Sequence, residues 1–233
     1  MKTFNRVFLS AILAGGIAGI VLAFIQHYTV MPLLFEAESY EVSSSDDTSN
    51  SHSDHDHGSH SHSDDVWAPE DGAERTFFTA LNSFIVAIGF GLILTALYSL
   101  RDTVTWKAGI VWGFAGFCAV NLAPAFGLPP ELPGDAAAEI GQRQTWWVLT
   151  VILTAVGIWL VAFSEKQGVR LFGIVLIVLP HIIGAPQPEV HTSLAPADLR
   201  EDFIHLSLAT NAIFWSILGA LCAYFYNRFE PQE

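Results

Sequence analysis

The chain has 233 residues, of which 52% are hydrophobic and 14% charged, against about a quarter charged in an ordinary soluble domain, so it is short of the groups that keep a fold in water. Its formal net charge is -13, and most of the acid falls between residues 36 and 74. That acidic exterior argues against nucleic acid and against docking on anionic lipid, and it favours cationic partners.

The apolar residues come in long runs, and about 20 apolar residues match the hydrocarbon thickness of a bilayer. They predict an all-α membrane protein, one polytopic domain over 1–233 with about six spans. The first spans are near 6–27, 76–100 and 106–126, and the later ones near 145–163, 169–185 and 205–226. Lys2 and Arg6 precede the first apolar stretch, which resembles a signal peptide. It is long for one and no A-x-A site follows, so it reads as an uncleaved helix. Pro124, Pro129, Pro130 and Pro133 end the third span, and Pro180 sits near the end of the fifth, because proline cannot donate to a helical hydrogen bond.

Lysine and arginine orient the bundle. One side receives Lys2, Arg6, Arg101, Lys107, Lys166, Arg170 and Arg228; the other receives Arg75, Arg143 and Arg200. The richer side is expected to be cytoplasmic, with both termini. The loop of residues 28–75 is then outside, with the loops near 127–144 and 186–204. Trp67, Trp146 and Trp147 fit the outer interface; Trp106 and Tyr226 fit the inner one. Gly15 with Gly19, and Gly109 with Gly113, are small residues four apart that let helices approach closely in lipid; packing within the chain is favoured over a dimer. Cys118 and Cys222 lie in apolar runs and read as small core residues.

Residues 43–65 read SSSDDTSNSHSDHDHGSHSHSDD. Almost nothing there can be buried, so residues 42–66 are expected to be a disordered outer loop. His52, His55, His57, His60 and His62 alternate with serine, aspartate and glycine. Imidazole suits cobalt, nickel, zinc, copper and iron, and nearby carboxylates help hold a divalent cation. The tract reads as a collector that concentrates metal ahead of the membrane. Its binding is expected to be pH-dependent, because ligand imidazoles must be neutral and free histidine titrates near pH 6.5.

The topology brings further groups to the outer border. His27 ends the first span, His181 lies near the end of the fifth, His205 begins the sixth, and Asn121 is near the end of the third. Glu36 and Glu38 follow the first span, with Tyr40 and Glu41 close behind. Ionisable groups at membrane depth are costly and tend to be paired or functional. Three histidines at one depth predict a shared polar vestibule, in which imidazoles and a carboxylate replace part of a metal's hydration shell. PHIIGAPQP (180–188) and NLAPAFGLPPELPG (121–134) carry proline and glycine at that depth, where freed carbonyls are tolerated beside a cavity or at a turn leaving the membrane. There is no GxxxxGK[ST], H-E-x-x-H or GxSxG motif, and nothing suggests a catalytic nucleophile, so the chain is not expected to be an enzyme.

These segments carry a family likeness. Gln26–His27 with Pro32 and EAESYE (36–41), the His/Asp tract, WAPEDGAERT (67–76), NLAPAFGLPPELPG, RQTWW (143–147), PHIIGAPQP and Phe214–Trp215 follow one another in order. In this the chain resembles the CbtA family of predicted cobalt transporter subunits. The resemblance implies a multi-span protein serving cobalt supply for cobalamin synthesis, accompanied by a small single-span, histidine-bearing membrane subunit. Cobalt rests on the resemblance alone; by ligand chemistry nickel, zinc and ferrous iron stay open as substrate. The leading reading is a permease component for divalent metal in the cytoplasmic membrane. A second is a non-conducting capture or sensing subunit that passes metal to a partner. A third is a haem-bearing electron carrier with axial ligands from His27, His181 and His205.

Overall fold

A computed structural model describes residues 2–49, 72–101, 104–190 and 192–230, with side chains in the first stretch from 3 to 40. Six helices account for most of them: α1 (Lys2–Ser49), α2 (Ala73–Tyr98), α3 (Trp106–Ala125), α4 (Ile140–Phe163), α5 (Gln167–Ile183) and α6 (Ala197–Arg228). No strand occurs among the described residues. Five helices are long and apolar enough to cross a membrane; α5, with 17 residues, is a shorter apolar helix.

Two helices outrun their expected spans. α1 does not stop near His27 but continues to Ser49, 48 residues in all. At 1.5 Å per residue that is about 72 Å, more than twice the hydrocarbon thickness. Residues 33–49 contain neither glycine nor proline to stop it. The helix therefore enters the stretch expected to be disordered from residue 42; residues 50–66 lie outside the described residues. α6 likewise begins at Ala197, eight residues before His205. The two extensions bury each other. Ala37 joins Leu199 and Phe203 in a second apolar core, closed by Leu132 and Ala195 from the loops and flanked by Leu33 and Leu34.

α6 is the centre of the bundle, packed along α1 and α3 and touching α2. Small residues set these contacts. A Cβ on Gly15 would stand 2.6 Å from Ile88 Cα, and one on Gly19 2.9 Å from Phe84 Cα, so α1 and α2 meet backbone to backbone. Gly109 and Gly113 press in the same way on Gly219 and the Trp215 carbonyl of α6. Both glycine pairs are thus used within the chain. At one end Arg6 clasps α1 to α6: its guanidinium lies 3.7 Å from the Tyr226 ring centroid, its Nε donates to the Tyr226 carbonyl at 2.5 Å, and Glu230 is 3.6 Å away. α4 and α5 form a separate pair, crossing at Gly157 and Gly173, and α4 reaches the rest mainly through the last third of α3.

Buried hydroxyls are satisfied locally. Ser10, Ser83, Thr95 and Thr150 each donate to the carbonyl four residues earlier, which keeps polar groups paired where no water is at hand. The Thr154 hydroxyl is buried without a partner.

Candidate metal-access site

The last third of α3 is not regular. Residues Cys118–Leu122 form a π-turn, in which the Ala123 N–H reaches back to the Cys118 carbonyl. Pro124 explains it: proline has no N–H for the carbonyl four residues back, and its ring crowds that carbonyl. Widening the turn by one residue relieves the clash. The π-turn carries Asn121, whose Oδ1 accepts from Trp215 Nε1 at 2.8 Å. Asn121 therefore ties α3 to α6 and is not held free for a metal. Asn121→Leu would orphan the indole N–H at membrane depth, and about 1–3 kcal/mol of stability is expected to be lost; thermal unfolding in detergent reads it.

Beyond Pro124 the chain turns across the end of α4. Gln187 Nε2 donates to the Gly127 carbonyl at 3.2 Å, and Ala136 N–H to the Thr192 carbonyl at 2.9 Å. So the two proline-glycine segments singled out in the sequence lie against each other. α5 ends where Gly184 takes a φ of 87° and closes onto the Pro180 carbonyl, a left-handed conformation that glycine adopts without strain. The same Pro180 carbonyl accepts from Trp146 Nε1 at 3.3 Å.

These segments leave an open pocket of about 500 Å³, lined by Phe126, Gly127, Trp146, His181, Gly184, Ala185 and Gln187. His181 is half-buried in its wall. The Phe126 and Trp146 rings meet the imidazole edge-on, with centroids 6.1 and 6.0 Å away. Neither imidazole nitrogen has a hydrogen-bond partner among the described residues, so both remain open to water or an ion. Beside Trp146 a second hollow is bordered by Glu139. The Glu139 carboxylate caps α4 by accepting from the Gly141 and Gln142 N–H groups at 2.8 and 2.9 Å. Those two bonds favour its charged form and hold its pKa below the usual carboxylate range.

Ion pairs brace the surrounding loops. Glu131 pairs with Arg143. Asp135, its side chain 4% exposed, accepts from the Leu132 N–H and stands 3.7 Å from Arg200. Glu38 takes Arg75 on both carboxylate oxygens. A metal would have to displace a guanidinium to use Glu38, so its visible role is to join α1 to α2. Glu36 is exposed on α1.

The expected three-histidine vestibule is not assembled. His27 is exposed on α1 with Phe24 and Tyr28, its ring 5.0 Å from Tyr28 and edge-on to it. His205 is exposed on α6, while His181 belongs to the α4–α5 pair. No group of three histidine, cysteine, aspartate or glutamate side chains among the described residues is placed to hold a metal ion. How far each histidine is buried depends on how its helix is turned, which the sequence did not show. His52, His55, His57, His60 and His62 lie outside the described residues. Reading the sequence for ionisable groups passed over Phe126 and Gln187 and took Trp146 only as an interface anchor. The signal for them was the proline-glycine punctuation on both sides of His181.

No curated protein and no solved structure matches the chain. The profile of one family, described as probable cobalt transporter subunit (CbtA), matches residues 4–227, nearly the whole length. With five apolar helices of membrane-crossing length, the chain is an integral membrane protein and belongs to the CbtA family of probable cobalt transporter subunits.

Proposed function

We propose that the chain is the membrane-embedded subunit of an uptake system for divalent transition metal, with cobalt as substrate, and that the ion reaches it at the His181 pocket. The observation that supports this most is the convergence of the two proline-glycine segments on one imidazole with both nitrogens unengaged. One imidazole, the Gln187 amide and neighbouring backbone carbonyls would replace only part of a hydration shell. Such partial coordination suits an ion in transit, since weak binding at several sites lets it move on. The histidine tract (His52 to His62) would raise the local metal concentration on the outer side, and Glu36 is free to add a carboxylate there. The CbtA description as a subunit fits a second membrane chain in the system, here read as the small histidine-bearing one. Supply of cobalt for cobalamin synthesis is the physiological role that follows.

A second reading has its own support. Among the described residues the buried polar side chains of the helices are serine and threonine hydroxyls, and no charged residue is buried within the helices. That favours a subunit that captures metal and hands it to its partner. Reconstitution decides between them. The purified chain in liposomes is exposed to cobalt, nickel and zinc, and internal metal is followed. Saturable uptake identifies a permease; binding without uptake identifies a capture subunit. In the complete system, deletion of residues 51–63 is expected to raise the half-saturating metal concentration several-fold while sparing the maximal rate. Complete loss of uptake in the deletion would refute the collector role.

A further inference from the structure

α2 and α4 face each other across a cavity of about 330 Å³, floored by α3 and by Trp215 of α6. Its walls are apolar, with Leu97, Trp112, Gly116, Ala155, Trp159 and Phe163 among them. At one end the rings of Trp112, Trp159 and Phe163 lie together, with centroids 4.7 to 5.9 Å apart. Over them sits Arg101, its guanidinium carbon 3.8 Å from the Phe163 centroid and 5.6 Å from the Trp159 centroid. No described carboxylate pairs with Arg101. The cavity is thus a slot with an apolar body and a cationic mouth.

Its dimensions select the occupant. On α4 the lining runs from Val151 to Phe163, about 18 Å at 1.5 Å per residue. A helix 10–12 Å across would fill roughly 1,400–2,000 Å³ over that length, several times the 330 Å³ of the cavity, whereas one extended hydrocarbon chain is long and narrow. We propose that the slot seats one acyl chain of an anionic phospholipid from the leaflet on the Arg101 side, with its phosphate on the Arg101 guanidinium. A guanidinium offers phosphate a fork of parallel N–H donors and remains charged at the membrane surface. The acidic surplus of the chain does not oppose this. It begins at residue 36, toward the other end of α1 from Arg6, whereas Arg101 shares its end of the bundle with Arg6, Lys107, Lys166 and Arg228.

The seated chain would have a mechanical role. The α4 backbone comes close to the rest of the bundle mainly at its His181 end; its other end is held by Trp112 and Arg101 on the rings of Trp159 and Phe163, and the slot separates the two supports. The acyl chain would brace the α4–α5 pair and, through it, the His181 pocket.

The test uses the full chain in mild detergent, exchanged with equal amounts of phosphatidylglycerol and phosphatidylcholine of identical acyl chains, and weighed intact by native mass spectrometry. One retained lipid is expected, with phosphatidylglycerol favoured about fivefold, the effect of one arginine near an anionic headgroup. Arg101→Gln is expected to abolish that preference while keeping an adduct. Ala155→Trp and Ala162→Phe fill the slot at two heights, and whichever keeps the parent circular dichroism is expected to lose the adduct. Equal retention of the two lipids by the parent overturns the proposal. So does an adduct that survives both filling substitutions. A co-purifying protein chain lost from the filled variants, with lipid retention unchanged, also overturns it and identifies the slot as a seat for a partner instead.

Discussion

Gly113→Ala is expected to destabilise the bundle by about 3 kcal/mol, the upper part of the range for forcing extra volume into packed structure. A methyl group there would land on the Trp215 carbonyl and 3.2 Å from the Gly219 Cα. Both obstacles are atoms of the facing helix backbone, so no rotamer change relieves the clash; α3 and α6 must separate. Separation would strain the Asn121–Trp215 hydrogen bond and open the centre of the fold, because α6 also carries the contacts with α1. Gly89→Ala is the matched control, since nothing stands within 4 Å of a Cβ at Gly89. It is expected to be neutral or slightly stabilising, as alanine is the better helix former. Unfolding of the detergent-solubilised variants, followed by size exclusion after heating, measures both. Equal stability of Gly113→Ala and the parent would mean that α3 and α6 do not meet backbone to backbone.

His181→Ala is expected to weaken metal binding at the pocket lined by Phe126, Trp146 and Gln187 by about tenfold or more, on the scale seen when groups at a metal site are removed. The imidazole is the one side chain in that pocket with strong affinity for cobalt, nickel or zinc. His27→Ala and His205→Ala are expected to leave the affinity near the parent value, because both residues are exposed and neither lines the pocket. Calorimetric titration with cobalt of a chain lacking residues 51–63 isolates the pocket from the tract. Trp146 supplies a second readout: its ring lies 6.0 Å from the His181 ring, so bound paramagnetic cobalt should quench it, and Trp146→Phe should remove that part of the signal. An unchanged affinity in His181→Ala, or an equal loss in His27→Ala, would remove the pocket from the metal route.

Which parts of the site were legible follows from what each residue depends on. Proline and glycine act through the backbone, so Pro180, Gly184 and the run after Pro124 marked the irregular end of the bundle from sequence alone. The short loop lengths and the charge pattern put His181 at that end. By contrast, Glu38 and Arg75 are 37 residues apart, and only the approach of α1 to α2 makes them a pair that occupies both carboxylate oxygens. Asn121 looked like a free polar group until the π-turn aimed it at Trp215. The length of α1 was missed because hydropathy reports where a helix leaves lipid, not where it ends. Its continuation depends on Leu199 and Phe203, far along the chain, which cover Ala37 and its neighbours.

By itself the sequence determined the all-helical architecture, the apolar runs that cross a bilayer, the unequal charge of the two ends and the histidine supply between the first two helices. These follow from local composition, because a bilayer requires about 20 consecutive apolar residues and admits backbone only when it is internally bonded. Only the tertiary structure decided which face each helix turns inward. In lipid the outward and inward faces are both apolar, so periodicity carries little of that information, and close contacts such as Gly113 on Trp215 and Gly157 on Gly173 fix the rotation instead. That rotation leaves His27 and His205 exposed and sets His181 beside Phe126 and Trp146.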